Sequence, residues 1–303
     1  TSLLRARYVR GANNDYDQDS KHKRDGLCHP IHSRSAVTVV PPLLVIEVGN
    51  SRVKFGVFRH GMTVLPGQLP TCEHMVAIAT NGEPYPWPQL QTAFAGLAPV
   101  SLIASVNPPA LQRVLDSWPK SVWPEPQILA SNAELPLVNQ TQYPNRVGTD
   151  RLLKAVAGNV LRQPDQPLIL IDSGTATTVD WVTSSGAFAG GAILPGLRLA
   201  SQALHDHTAQ LPLIAVENFQ HSPPPAIGTE TQSALQSGIY WGHIGAVREL
   251  MQRMSAQHAG QTPTVLITGG GGELLARELG LAASYYRDLT LQGLAVTAQS
   301  IAR

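Results

Sequence analysis

The 303-residue chain is short of several things, and each shortage excludes a class of protein. It has two cysteines, Cys28 and Cys72, and no CxxC pair. That excludes a disulfide scaffold and a cysteine-based zinc cluster, and it suits a reducing compartment. No stretch approaches about eighteen consecutive apolar residues, so no spanning helix and no membrane partner is expected. Charged residues make up only 14% and the formal net charge is +1, which gives no overall pull toward nucleic acid. Several motifs are missing as well. There is no GxxxxGK(S/T) phosphate loop, no GxGxxG after a first strand, no HExxH and no GxSxG. These absences count against a P-loop fold, a nicotinamide enzyme, a zincin and the common serine hydrolases. His205 and His207 flank Asp206, but with no third ligand placed they read as surface polar residues.

What is present is enough apolar sequence for a large core. Hydrophobic residues are 43%, which excludes global disorder, and the length fits one large or two medium domains. Twenty-four prolines and 26 glycines divide the chain into many turns. Residues 1–41 are polar, mixed in charge and without an apolar period, and read as a disordered or poorly ordered extension. They hold no apolar core of a secretory signal.

From Pro42 the pattern changes. LLVIEV (43–48), a Gly-Asn turn and VKFGVF (53–58) predict strand–turn–strand. LIASV (102–106) predicts a buried strand, and ALQRVLDSW (110–118) a helix closed by Pro119. RLLKAVAGNVL (151–161) carries Leu152, Leu153, Val156 and Val160 on one helical stripe. PLILIDSG (167–174) and TTVDWV (177–182) predict a second strand pair. Helices follow near 197–209 and 229–256, then a strand running into glycines (264–272) and a helix over 273–280. Alternating strands and helices predict an α/β fold. IEVGNS (46–51) and IDSGTA (171–176) share one shape, which predicts that a half-domain occurs twice, the copies facing each other across a cleft. The halves are 42–165 and 166–303.

Glycine turns at strand ends let backbone N–H groups approach an anion. Gly49, Asn50 and Ser51 form one such turn, with Lys54 close by; Gly174 and Thr175 form another, with Thr177 and Thr178 following. Glu47 and Asp172 are the acids at the two strand ends, and hard cations prefer such oxygen ligands. Two facing turns of this kind can clamp a polyphosphate. GGGG (269–272) reads by itself as a strand-to-helix loop. In VGTDRLLK (147–154), the residue physics favours Asp150 as a helix N-cap; a carboxylate beside Arg151 can also take a proton from a hydroxyl.

The ordered run IEVGNSRVKFG (46–56), NRVGTDR (145–151), LIDSGTATTVD (170–180), GGAILPGL (190–197), IGTETQSALQSG (227–238), LITGGGG (266–272) and DLTLQGL (288–294) resembles the type III pantothenate kinase family. That family belongs to the actin-like ATPase superfamily. The resemblance covers roughly residues 43–300. It implies two ribonuclease-H-like half-domains facing a cleft, with mixed sheets flanked by helices. It implies phosphorylation of pantothenate by ATP, the entry step of coenzyme A synthesis, in the cytoplasm and by a homodimer. ATP would meet Glu47, Val48, Gly49, Asn50, Ser51, Arg52, Val53, Lys54 and Thr175. Pantothenate would meet Tyr143, Gly148, Thr149, Asp150, Arg151 and Thr231, with Thr208 a weaker candidate. The resemblance makes Asp150 the general base, reversing the cap reading. It gives Asp172 a monovalent cation, K⁺ or NH₄⁺, and leaves Mg²⁺ to Glu47. Leu235, Ile239, Val247, Leu250 and Met254 stripe the 229–256 helix, either for a dimer contact or for core. The family's first motif opens with aspartate, whereas this chain has Glu47. That departure keeps a second reading in play: a catalytically weakened regulatory relative of the Bvg accessory factor type. Another small-molecule kinase of the superfamily is the third.

Overall fold

The computed structural model describes residues 41–59, 64–81, 84–258, 260–281 and 284–301. The extension expected at 1–41 therefore falls outside the described residues but for Pro41.

Among the described residues, two sheets carry the fold. The first contains β1 (Leu43–Val48), β2 (Arg52–Phe58), β3 (His74–Ala79), β4 (Val100–Ser105) and β5 (Gln127–Ile128), in the order β3-β2-β1-β4-β5. The second contains β6 (Leu168–Ser173), β7 (Ala176–Val182), β8 (Phe188–Pro195) and β9 (Thr264–Thr268), in the order β8-β7-β6-β9. In each, a leading strand pairs antiparallel with its successor and parallel with a later strand. The predicted repeat is thus present in the topology. β1 and β6 are central strands covered on both faces, which is why they read as unbroken apolar runs.

Among the described residues, seven α-helices cover the sheets: α1 (Trp87–Ala93), α2 (Pro108–Asp116), α3 (Thr149–Leu161), α4 (Leu197–Asp206), α5 (Thr231–Gln257), α6 (Gly272–Glu278) and α7 (Leu289–Ile301). α2 starts where Asn107 accepts the backbone N–H of Ala110 and prolines fill the first helical positions. α5 opens on a reciprocal box between Glu230 and Ser233.

Strand parity sorts the core into three layers. Leu44 and Ile46 of β1 pack outward with α1, α2, Trp118 and Trp123. Ile169 and Ile171 of β6 pack outward with α4, α5 and α6. Leu43 and Val45, and likewise Leu168 and Leu170, face a shared middle layer with α3 and α7. The α5 stripe belongs to core: Ile239 and Val247 are buried, and Leu235, Leu250 and Met254 pack against them.

α7 has no polar face over most of its length because it lies between elements. It packs on α3, β1, β2 and β4. A Cβ on Gly293 would stand 1.9 Å from the Leu153 carbonyl oxygen, so this position must be glycine for the two helices to lie this close. The sequence expectation named no element here. It also missed β3, an edge strand only partly buried, and β8, an edge strand with alternate residues exposed and two glycines inside.

Candidate active site

The same parity that builds the middle layer places the acids. Residues 43, 45 and 47 share a face of β1, and residues 168, 170 and 172 share a face of β6. Glu47 and Asp172 therefore close the two apolar faces at the same end as the glycine turns. The turns meet: Ser51 Oγ lies 2.9 Å from Thr175 Oγ1, across 124 residues of sequence. Each turn is closed by its leading glycine, with Gly49 donating to Arg52 O at 3.0 Å and Gly174 to Ala176 O at 3.1 Å.

α3 enters between them from its N-terminus. Its N-cap is Gly148, with no side-chain cap, so Asp150 is not the cap that the residue physics favours. A Cβ on Gly148 would stand 2.6 Å from Asp150 Oδ1, so glycine gives the carboxylate its room. Asp150 instead receives the Lys154 ammonium at 3.0 Å, the i,i+4 partner on the same helix face. Lys154 also donates to Asp172 Oδ2 at 2.5 Å. Its side chain is 1% exposed. Lys54, on the strand beside β1, donates to Glu47 Oε2 at 2.8 Å and stays 38% exposed. Glu47 and Asp150 line one small cleft with Ser105, Val106 and Thr149.

Burial pushes the Asp150 carboxyl up, but the charge and hydrogen bond of Lys154 outweigh it and hold the group below its usual range. Burial alone would lower Lys154; the charges of Asp172 and Asp150, helped by Glu47, raise it instead. Both are charged at neutral pH. Sequence reasoning missed Lys154, whose helical position reads as solvent-facing, although its spacing from Asp150 was a usable signal.

Arg151 is already held. Its guanidinium forks onto the Asp180 carboxylate of β7 and lies over the Phe188 ring, 5.4 Å from the centroid. Thr178 donates to the same carboxylate at 3.1 Å. Burial pushes Asp180 up, against the Arg151 hydrogen bond and charge. Asp180 is the second residue the sequence reading left out.

The remaining expected residues divide. Thr149 Oγ1 donates to Asn132 at 2.8 Å, and Asn132 in turn donates to Val147 O, which fixes the loop before α3. Tyr143 is exposed, with the Arg146 guanidinium 5.0 Å from its ring centre. Val48 and Val53 are fully buried, so only their backbone can meet a ligand. Asn50 and Arg52 are exposed on the first turn. Thr231 opens α5 and lines a groove of about 720 Å³ between α4 and α5, not the Glu47–Asp150 cleft. Thr208 is exposed and donates to Leu204 O, closing the end of α4.

Taken as chemistry, the site offers an ionised carboxylate at a helix start, two small turns bridged by hydroxyls, and one exposed lysine. That set suits moving a proton from a hydroxyl while holding a polyphosphate.

Residues 43–253 match the family model described as type III pantothenate kinase. The chain is 34% identical over 256 residues to a type III pantothenate kinase of Caulobacter vibrioides, covering 83% of this chain and 95% of that one. It is 31% identical over 261 residues to that of Syntrophotalea carbinolica, covering 84% and 97%. Among solved structures it is similar to the activator of a 2-hydroxyisocaproyl-CoA dehydratase from Clostridium difficile with bound ADPNP. There the TM-score is 0.44 and the identity 10%, over 86% of this chain and 96% of that one.

Proposed function

The chain belongs to the type III pantothenate kinase family, and from that premise we propose how its residues perform the reaction. The protein is an ATP-dependent kinase that phosphorylates the hydroxyl of pantothenate, giving 4′-phosphopantothenate and ADP. The observation that carries the residue assignment is the convergence of Glu47, Asp150 and Asp172 beside the paired Ser51 and Thr175 turns.

ATP places its phosphates against the first turn, where Gly49, Asn50 and Ser51 offer N–H and hydroxyl donors. Lys54 exchanges its bond to Glu47 for a phosphate oxygen, and Thr175 reaches the phosphates from the other side. Pantothenate lies toward Tyr143 and the start of α3. Asp150, ionised, accepts the hydroxyl proton as that oxygen attacks the γ-phosphorus and ADP leaves. Arg151, held by Asp180, keeps the helix start in register rather than swinging freely onto substrate. Positioning and charge neutralisation supply most of the rate in such transfers.

Mg²⁺ asks for one or two carboxylates beside substrate phosphates, and Glu47, at the end of β1 in the cleft beside the first turn, fits that donor role. When bound it would neutralise charge on the transferring group. The monovalent cation of the resemblance, K⁺ or NH₄⁺, fits less well: Asp172 is already engaged by Lys154. A homodimer that covers the α4–α5 groove belongs to the same reading, and light scattering giving a monomer at micromolar concentration would remove it. A cytoplasmic location follows from the substrates. Among the described residues no helix is long and apolar enough to cross a membrane.

The test is ADP release by the purified protein with ATP and Mg²⁺, with and without pantothenate. Pantothenate-dependent ADP is expected. In Asp150→Asn it should fall by roughly 10²-fold to 10⁴-fold, the usual share of a general base, while ATP binding survives. An active Asp150→Asn enzyme would sink the assignment. ATP binding without turnover in the unaltered protein favours the regulatory reading, for which Glu47 is the supporting feature.

A further inference from the structure

Asp172 is the carboxylate to which the family resemblance gives a free monovalent cation, and here a side chain stands in that place. Lys154 Nζ lies 2.5 Å from Asp172 Oδ2 and 3.0 Å from Asp150 Oδ2. An ammonium offers one positive charge and three donors, which is the chemistry NH₄⁺ would bring. The side chain is only 1% exposed, so the charge cannot swing out to solvent. A second cation on Asp172 would meet Lys154 at contact range, where like charges repel strongly in a partly dry site.

We propose that the Lys154 ammonium is a built-in replacement for the free monovalent cation, so that nucleotide binding and phosphoryl transfer need neither K⁺ nor NH₄⁺. Two features strengthen the case. Lys154 rides on α3, the helix that also carries Asp150, so cation and base keep a fixed separation. α3 is in turn anchored by the Arg151–Asp180 pair, which spans to β7. Lys154 acts through Asp150 and Asp172 and is therefore a positioning residue. The inference rests on the kinase reading above.

The experiment uses the full chain in chloride salts of K⁺, NH₄⁺, Na⁺ or tetramethylammonium at equal ionic strength. It reads both pantothenate-dependent ADP release and ADP affinity by calorimetry. For the unaltered protein, both should change less than about twofold across the salts. In Lys154→Met, ADP affinity should drop about tenfold in tetramethylammonium and return with K⁺ or NH₄⁺, a rescue that a merely structural lysine would not give. A rise of about tenfold in ADP affinity or turnover on adding K⁺ to the unaltered protein overturns the proposal. So does a Lys154→Met protein that binds ADP equally in all salts. Should Lys154→Met fail to fold, the unaltered protein's salt series decides alone. Absence of turnover in every salt counts against the kinase reading only, and the calorimetry still decides Lys154.

Discussion

The two strand–turn–strand units have the same backbone plan and each pairs its acid with a lysine, but the two lysines come from different places. In the first, Glu47 faces Lys54 across the hairpin, and the lysine is partly in solvent. In the second, the register partner of Asp172 is Thr178, and the cation comes instead from α3, fully enclosed. Their inner faces differ as well. Two residues before each acid, Val45 pairs with Gly56 while Leu170 pairs with Asp180. Gly56 leaves room for Leu291 of α7; Asp180 grips Arg151 of α3. A duplicated scaffold thus holds one cation that can change partners on ligand arrival and one that is locked in place. The first unit is arranged for exchange, the second for fixing the helix that carries the base.

The largest way to break this contrast is Asp180→Ala. Asp180 is 1% exposed and its loss leaves Arg151 without its carboxylate, so unfolding free energy should fall by about 3 kcal/mol. Urea denaturation measures it; a loss under about 0.5 kcal/mol would mean the pair does not hold α3. Lys54→Met comes next. Removing an exposed charged donor should raise the ATP Kd on the order of tenfold with little change in stability, and K⁺ should not rescue it. Equal behaviour of Lys54→Met and Lys154→Met would erase the distinction between the two units.

A smaller effect is pH dependence behind the second unit alone. His243 of α5 is buried, with Nε2 3.3 Å from Thr177 Oγ1, and burial lowers its pKa below 6.5. The unfolded chain then binds the extra proton first, so stability is full above about pH 6.5 and is lost as pH falls below it, by at most about 1.4 kcal/mol per pH unit. Thermal unfolding between pH 7.5 and 5.5 should show this slope, and His243→Gln should flatten it. Least of all, Glu47→Asp should keep or raise turnover. A fall approaching roughly 10²-fold would mean that the cleft is built around the longer side chain.

Much of this contrast was readable in advance. Apolar runs ending in acid and glycine gave β1 and β6, and their likeness gave the repeat. Asp180 was not readable, and Lys154 only as the i,i+4 partner of Asp150, because each is charged in an ordinary-looking element and only the meeting of α3 with β6 and β7 buries them. α7 escaped for the opposite reason: Leu289, Leu291, Leu294 and Ala295 are buried on different sides, so no amphipathic period marks a helix. DLTLQGL was legible only as a family motif. The cap reading of Asp150 failed because Gly148, with no side chain to signal it, starts the helix.

The seat of α7 also bears on the order of synthesis. β1, β2 and β4 are made early, yet their inner face is covered by the last helix described. A ribosome-bound chain cannot complete that first half while α7 is still unmade. The inner face of the first sheet is therefore completed only when α7 is in place, and a chain cut before Leu289 should lose the packing on β1, β2 and β4 together with that on α3.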